Sequence, residues 1–185
     1  VNIQKVNNMS SENLEFAILG FLAEKPKHGY ELYKEISDPV GIGGVYSLKI
    51  GKLYSILKKL EKLDLIHATT MQDGSRPPRN LYNLTKTGIA AFNDWMITPI
   101  KHGRDFRILF LLKLYFINKI KINTANELIF KQNNECRNWE QKIELSMKGN
   151  TRYQQMVKQY RLSQIDGYIK WLEWCERTLN EKSNS

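Results

Sequence analysis

The apolar residues of the first hundred positions change their spacing in an order that few folds can accept. Three stretches run at helical period, then two short stretches run at strand period with a turn between them. Leu14, Ile18 and Leu22 recur every four residues. Ser10-Ser11 ahead of them, with Glu12 and Glu15, predict an N-cap and an acidic first turn. Lys25-Pro26-Lys27-His28-Gly29 ends that helix, and a second, short helix is predicted over Gly29 to Ser37, with Tyr30, Tyr33 and Ile36 on one side. Pro39 and Gly41-Ile42-Gly43-Gly44 stop it. A longer amphipathic helix is predicted from Ser47 to about Asp64, with Leu53, Leu57 and Leu60 as its buried stripe. Lys52, Ser55, Lys59 and Lys62 line up on another face. Leu65 to Met71 reads as a strand, Gln72-Asp73-Gly74-Ser75 as a turn, and Asn80 to Leu84 as the returning strand. Thr85 then caps a helix carrying Ile89, Phe92 and Trp95, which Pro99 breaks.

Three helices followed by a hairpin is the order of a winged helix-turn-helix, and its chemistry here suits DNA. A third helix with lysines on its exposed face can lie in a major groove ~12 Å wide with phosphates on both sides. Arg76 and Arg79 flank Pro77-Pro78, so the hairpin tip is stiff and holds two guanidinium groups outward, toward phosphate or a narrow minor groove. From Val45 to Ala90 there are eight Lys/Arg against three acids, a local excess of +5. The whole chain of 185 residues carries a formal net charge of +9, which favours a polyanionic partner.

Other chemistries find little support in the residues. Cys136 and Cys175 are too few and too far apart for a disulfide framework, and with three scattered histidines they offer no metal-ligand spacing. No phosphate loop, nucleophile elbow or carboxylate cluster is present, so no catalysis and no cofactor is implied. The most apolar run, Ile108 to Leu112, meets Lys113 too soon to span a bilayer, and no secretory signal opens the sequence. A cytoplasmic protein with no membrane partner is the expectation, and residues 1–9 are expected to be an extension outside the fold.

Several ordered blocks resemble one family. Leu14-Glu15-Phe16-Ala17-Ile18-Leu19-Gly20-Phe21-Leu22, followed by His28-Gly29-Tyr30-Glu31-Leu32, is similar to the opening of PadR-family transcriptional regulators. Leu53-Tyr54, Leu57, Leu60-Glu61 and Leu65-Ile66 resemble that family's third helix. Arg76-Pro77-Pro78-Arg79 and Tyr82-Asn83-Leu84-Thr85-Lys86-Thr87-Gly88 resemble its wing and the start of its fourth helix. The chain departs from the pattern at Ser55, where proline is usual, at Lys52, where a small or hydroxyl residue is common, at Asp64, where glycine is usual, and at Asn80, often a basic position. The resemblance implies a homodimer with each third helix in a major groove. Many members are repressors released by small molecules, phenolic acids or cationic lipophilic drugs among them, and others activate virulence genes. By position, Tyr54 would contact DNA from the third helix and Tyr30 would position the backbone. The full expected DNA-contacting set is Tyr30, Ser47, Lys49, Lys52, Tyr54, Ser55, Lys58, Lys59, Arg76 and Arg79.

Beyond Pro99 the pattern is one of long helices: Arg104 to Asn118, a helix behind a capping-box pattern at Thr124 to Glu127, and a last helix from about Thr151 to Glu181. That last helix repeats Ile165, Tyr168, Leu172, Cys175 and Leu179, with Trp171 and Trp174 beside them. So much apolar surface at the end of a chain predicts a partner helix from a second copy. The expected fold is therefore mainly α with a small β-hairpin. A DNA-binding winged domain would cover residues 10–98 and a helical dimerisation domain residues 99–185. The function expected is a sequence-specific regulator, a repressor that binds a palindromic operator on double-stranded DNA as a homodimer. A small aromatic effector would release it, with Phe92 and Trp95 as the place where a flat ligand could stack. The competing reading is a basic helical adaptor that binds protein partners or an anionic membrane surface without DNA specificity.

Overall fold

The computed structural model of the chain describes residues 3–39, 43, 48–72, 77–120, 124–146 and 151–181, with side chains from Leu14 onward. The chain divides into two compact units, Val1–Met96 and Ile97–Ser185.

In the first unit, α1 (Ile3–Glu24) leads through a two-residue strand β1 (Lys27–His28) into α2 (Gly29–Ile36) and α3 (Ile50–Lys62). The hairpin β2 (Ile66–Met71) and β3 (Arg79–Leu84) follows, then α4 (Lys86–Ile97). β3 is the central strand of a three-stranded antiparallel sheet, with β1 on one side and β2 on the other. β1 matches Lys27 to Tyr82, and β2 matches Ile66 to Leu84 and Met71 to Arg79. The short β1 was not foreseen from the sequence, because two residues carry no periodicity. α1 begins at Ile3, ahead of the cap expected at Ser10-Ser11, so the helix runs through part of the stretch expected to be an extension. Ala17, Ile18, Phe21, Leu32, Ile36, Leu53, Leu57, Leu60 and Phe92 form its core. In α4 the buried face is Gly88, Phe92 and Met96, while Ile89 is exposed.

α3 ends in a left-handed turn. Leu65 N–H donates to Leu60 O and Asp64 N–H to Glu61 O, each at 3.0 Å, the paired bonds of a Schellman motif. Its left-handed residue is Asp64, at φ 54°, where glycine is the usual occupant. The same turn anchors α4. Thr85 N–H donates to Leu65 O at 3.1 Å, and Thr85 Oγ1 donates to Asp64 O at 2.6 Å. Gly88 N–H in turn donates to Thr85 Oγ1 at 2.9 Å, the N-cap bond of α4. A Cβ on Gly88 would lie 1.9 Å from Leu65 O, so only glycine fits there.

The second unit opens with a helical turn, α5 (Gly103–Asp105), continues as a π-helical turn over Phe106–Phe110 and then as α6 (Leu111–Ile120). α7 (Ala125–Ser146) and α8 (Arg152–Glu181) complete it. The π turn interrupts what the sequence predicts as one plain helix. It sets Phe106 and Phe110 in a stack with centroids 4.8 Å apart. Tyr168 stacks on Phe106 at 4.2 Å, and Trp171 meets both rings edge-on. Gln132, fully buried on α7, holds the segment at Ile100 by both backbone groups. Ile100 N–H donates to Oε1 at 2.6 Å and Nε2 donates to Ile100 O at 3.2 Å. Lys113 is buried as well, its Nζ donating to Thr98 O at 2.6 Å. Thr151 and Gln154 exchange side-chain to backbone bonds at the start of α8, a reciprocal capping box.

The stripe expected to hold a partner is largely consumed inside this unit. Ile165, Leu172 and Cys175 are buried, Tyr168 and Trp171 pack on the π turn, and Leu179 is half-buried. Trp174 alone of that set is well exposed.

Candidate nucleic-acid interface

α3 buries Leu53, Ile56, Leu57 and Leu60. At about 100° per residue, the direction opposite that stripe falls on Gly51, Ser55, Lys58 and Lys62. All four are exposed. The outward row is therefore rotated from the Lys52, Ser55, Lys59 and Lys62 row read from spacing alone. Lys59 turns toward α1, where its Nζ meets Glu15 Oε1 at 2.6 Å. Lys52 stands exposed on the same flank, and Lys49 is the extended N-cap residue of α3.

Tyr54 lies on the opposite flank, toward α2. A Cβ on Gly29 would come within 2.9 Å of its ring, so the ring sits where it does because position 29 has no side chain. Here α2, α3 and the wing meet in a concavity of about 540 Å³. His28 to Glu31, Tyr54, Pro78, Arg79, Asn80 and Tyr82 line it. It gathers Tyr30, Tyr54 and Arg79, three of the expected contact residues that lie far apart in sequence. Tyr30 and Tyr54 are about half exposed.

The residues that hold this concavity open were not singled out as functional in the sequence. His28 Nδ1 lies 3.0 Å from Asn80 O; a carbonyl only accepts, so Nδ1 carries the proton. That bond ties the start of α2 to the base of the wing. Asn80, the non-basic wing residue, also accepts from Thr70 Oγ1 at 3.2 Å through Oδ1, across the hairpin. Glu31 faces the concavity, but its Oε2 accepts from His28 N–H at 2.7 Å and caps α2. Lys27, almost fully buried, pairs with Glu35 at 2.7 Å and Glu24 at 3.4 Å and locks α2 onto β1. The link from His28 across to residue 80 spans 52 positions, and no local pattern announces it.

Of the remaining expected contacts, Ser47 and Arg76 lie outside the described residues. Arg79 opens β3 opposite Met71 and is exposed. Phe92 is buried and Trp95 is half-buried, stacked on Phe16 at 4.9 Å with the rings 6° from parallel. Both rings are taken up by packing within the first unit, where the sequence reading had placed an effector. A different hollow, of about 680 Å³, lies in the second unit. Trp139, Tyr160 and Tyr168 line it together with Lys101, Arg104 and Arg161. Glu135 is tied down beside it, accepting from Trp139 Nε1 at 3.0 Å and pairing with Lys101 at 3.6 Å. Burial pushes the Tyr168 phenol above its ordinary pKa, and the hydroxyl donates to Gly103 O at 3.2 Å. Among the described residues no group of three or more His, Cys, Asp or Glu is placed to hold a metal ion. No helix of the described residues is long and apolar enough to cross a membrane.

Three helices with the third turned outward, a three-stranded sheet and a wing define the class of winged helix-turn-helix units. The first unit is similar to the PadR-like family of transcriptional regulators. That family's model matches residues 18–94, and the model of the virulence activator alpha C-terminal region matches residues 106–180. The chain is similar to the negative transcriptional regulator PadR of Bacillus subtilis, 30% identical over 115 residues. That match covers 62% of this chain and 62% of the regulator's own length. The crystal structure of Bacillus subtilis PadR in complex with operator DNA is 24% identical, with a TM-score of 0.46, covering 90% of this chain and 98% of that one. The same protein in complex with p-coumaric acid is 23% identical, with a TM-score of 0.43, covering 91% and 99%.

Proposed function

We propose that this chain is a sequence-specific DNA-binding repressor that works as a homodimer, with α3 in the major groove and the wing on the flanking backbone. The observation that carries the reading is the outward row of α3, Gly51, Ser55, Lys58 and Lys62, beside a concavity that gathers Tyr30, Tyr54 and Arg79. Gly51 and Ser55 are small enough to let the helix approach base edges. Lys58 and Lys62 stand further along, where a helix crossing the groove meets phosphate. The tyrosine hydroxyls and the Arg79 guanidinium are donors lining one concavity, chemistry that suits a phosphate. Repression, in preference to activation, is supported by the similarity to a negative regulator. Two α3 helices held about one DNA turn apart need two copies of the chain, which supports the dimer.

Release by a small aromatic effector finds its support in the second unit, where aromatic walls and three cationic side chains suit a flat acid. Phe92 and Trp95, already packed, are no longer the best place for it.

Fluorescence anisotropy on operator DNA across a salt series tests the reading. Lys58→Ala with Lys62→Ala should flatten the log–log salt slope by about 2 per bound protomer, because each phosphate contact contributes about 0.9. Lys59→Ala, already paired with Glu15, should change it far less. Millimolar p-coumaric acid should release the wild-type complex. An unchanged slope in the double variant, at any operator affinity, would place α3 outside the groove.

A further inference from the structure

The hollow of the second unit carries more positive charge than a simple carboxylic acid can answer. Lys101, Arg104 and Arg161 line it, and among the described residues no aspartate or glutamate does. Lys101 pairs with Glu135 at 3.6 Å and Arg104 with Asp105 at 3.8 Å, both beyond hydrogen-bond length. The two cationic side chains are 63% and 71% exposed, so pairs of this kind hold them weakly. Glu135 is also engaged elsewhere, accepting from Trp139 Nε1 at 3.0 Å. Lys101 and Arg104 can therefore turn their N–H groups to a ligand.

The rings beside these cations are fixed. Tyr168 stacks on Phe106 with centroids 4.2 Å apart, and its hydroxyl donates to Gly103 O at 3.2 Å. Glu135 holds the indole of Trp139. A Cβ on Gly103 would meet Tyr168 Cε2 at 3.5 Å and Trp139 Cζ3 at 3.8 Å. Both rings thus converge on the short segment that carries Lys101 and Arg104. That segment has a firm base, because Gln132 binds both backbone groups of Ile100.

A carboxylate brings one charge to three cations. A phosphate monoester brings about −1.5 to −2 at pH 7 and three acceptor oxygens, which arginine takes by paired hydrogen bonds. The volume of about 680 Å³ lies well inside the range of about 300–1,000 Å³ usual for ligand sites, and it exceeds what a single ring needs. We propose that the hollow binds a flat heteroaromatic base joined to a phosphate, a purine nucleoside monophosphate. The base lies against Trp139 and Tyr168, and the phosphate is held by Lys101, Arg104 and Arg161. The proposal rests on the effector reading above and names the ligand class of the same hollow. p-Coumaric acid, with one ring and one carboxylate, is then the weaker ligand.

Isothermal titration calorimetry on the full-length chain tests it with AMP, GMP, adenosine, inorganic phosphate and p-coumaric acid as probes. AMP or GMP should bind about 10-fold or more tighter than each of the other three, because only the nucleotides offer both the stacking face and the phosphate. Arg104→Gln with Arg161→Gln should weaken the nucleotide by about 30-fold or more and leave adenosine within about 3-fold, with the thermal midpoint unchanged. Trp139→Leu should weaken nucleotide and adenosine alike. A nucleotide bound as tightly by the double arginine variant as by the wild type overturns the proposal, as does inorganic phosphate binding as tightly as AMP and GMP. p-Coumaric acid binding more tightly than both nucleotides, and weakened by the same double variant, overturns the phosphate class and leaves the effector reading standing. Nucleotide binding at the hollow with unchanged operator anisotropy upholds the ligand class and overturns release. No binding of any probe overturns both.

Discussion

Replacing Gly88 by alanine sets two local effects against each other, and the structure decides which wins. Helix propensity alone predicts a gain of about 1 kcal/mol from Gly to Ala inside α4. The new Cβ, however, would lie 1.9 Å from Leu65 O and 2.9 Å from Leu65 C. Real contacts of this kind essentially never fall below 3.0 Å, so the start of α4 and the turn after α3 must separate by at least ~1 Å. Overpacking of that order costs about 1–3 kcal/mol. The movement also strains the Thr85 N–H to Leu65 O bond at 3.1 Å, worth about 0.5–1.5 kcal/mol, and the Thr85 cap, worth about 1 kcal/mol. After the propensity gain, a net loss of about 2–4 kcal/mol remains. Urea unfolding followed by far-UV circular dichroism measures it. Gly51→Ala is the control, since a Cβ there meets nothing within 4 Å and should not destabilise. A Gly88→Ala midpoint equal to or above wild type would refute the reasoning, because helix propensity would then have outweighed the clash.

Asp64→Gly should stabilise the first unit by about 0.5–1 kcal/mol, because a left-handed residue at φ 54° is strained for any side chain; its thermal midpoint should rise, and a fall would mean the aspartate side chain contributes more than the strain removes. Burial pushes the Cys136 thiol up from 9.0 to about 11, with nearby Glu135 adding to the rise and the Gln132 hydrogen bond opposing it. The folded state holds that proton more tightly than the unfolded one, so the contribution is whole below pH 9 and is lost as pH rises toward 11, by up to ~2–3 kcal/mol. Cys136→Ala should show a shallower fall over that window in urea titrations, and an equal fall would assign the effect to other groups.

Much of the molecule was legible along the chain because it is governed by neighbours in sequence. Apolar spacing of 3.6 residues placed α2, α3, α4, α7 and α8 close to their observed bounds, and turn residues placed the hairpin, since periodicity and turn chemistry are local properties. The burial of Leu53, Leu57 and Leu60 followed from the same spacing, as did the basic character of the opposite face. Tertiary structure decided which of several equally good local alternatives is used. Whether Lys58 or Lys59 points outward depends on Glu15, 44 residues away from Lys59, and no pattern within α3 encodes that pairing. The concavity at the wing depends on His28 reaching Asn80 and on Tyr54 occupying the space above Gly29, contacts between segments that only the fold brings together. In α8, spacing alone could not tell the face that packs on Phe106 and Phe110 from the face left open, because both repeat at helical period. A helix of 30 residues has room for two apolar stripes, and which one is buried depends on what the rest of the chain sets against it.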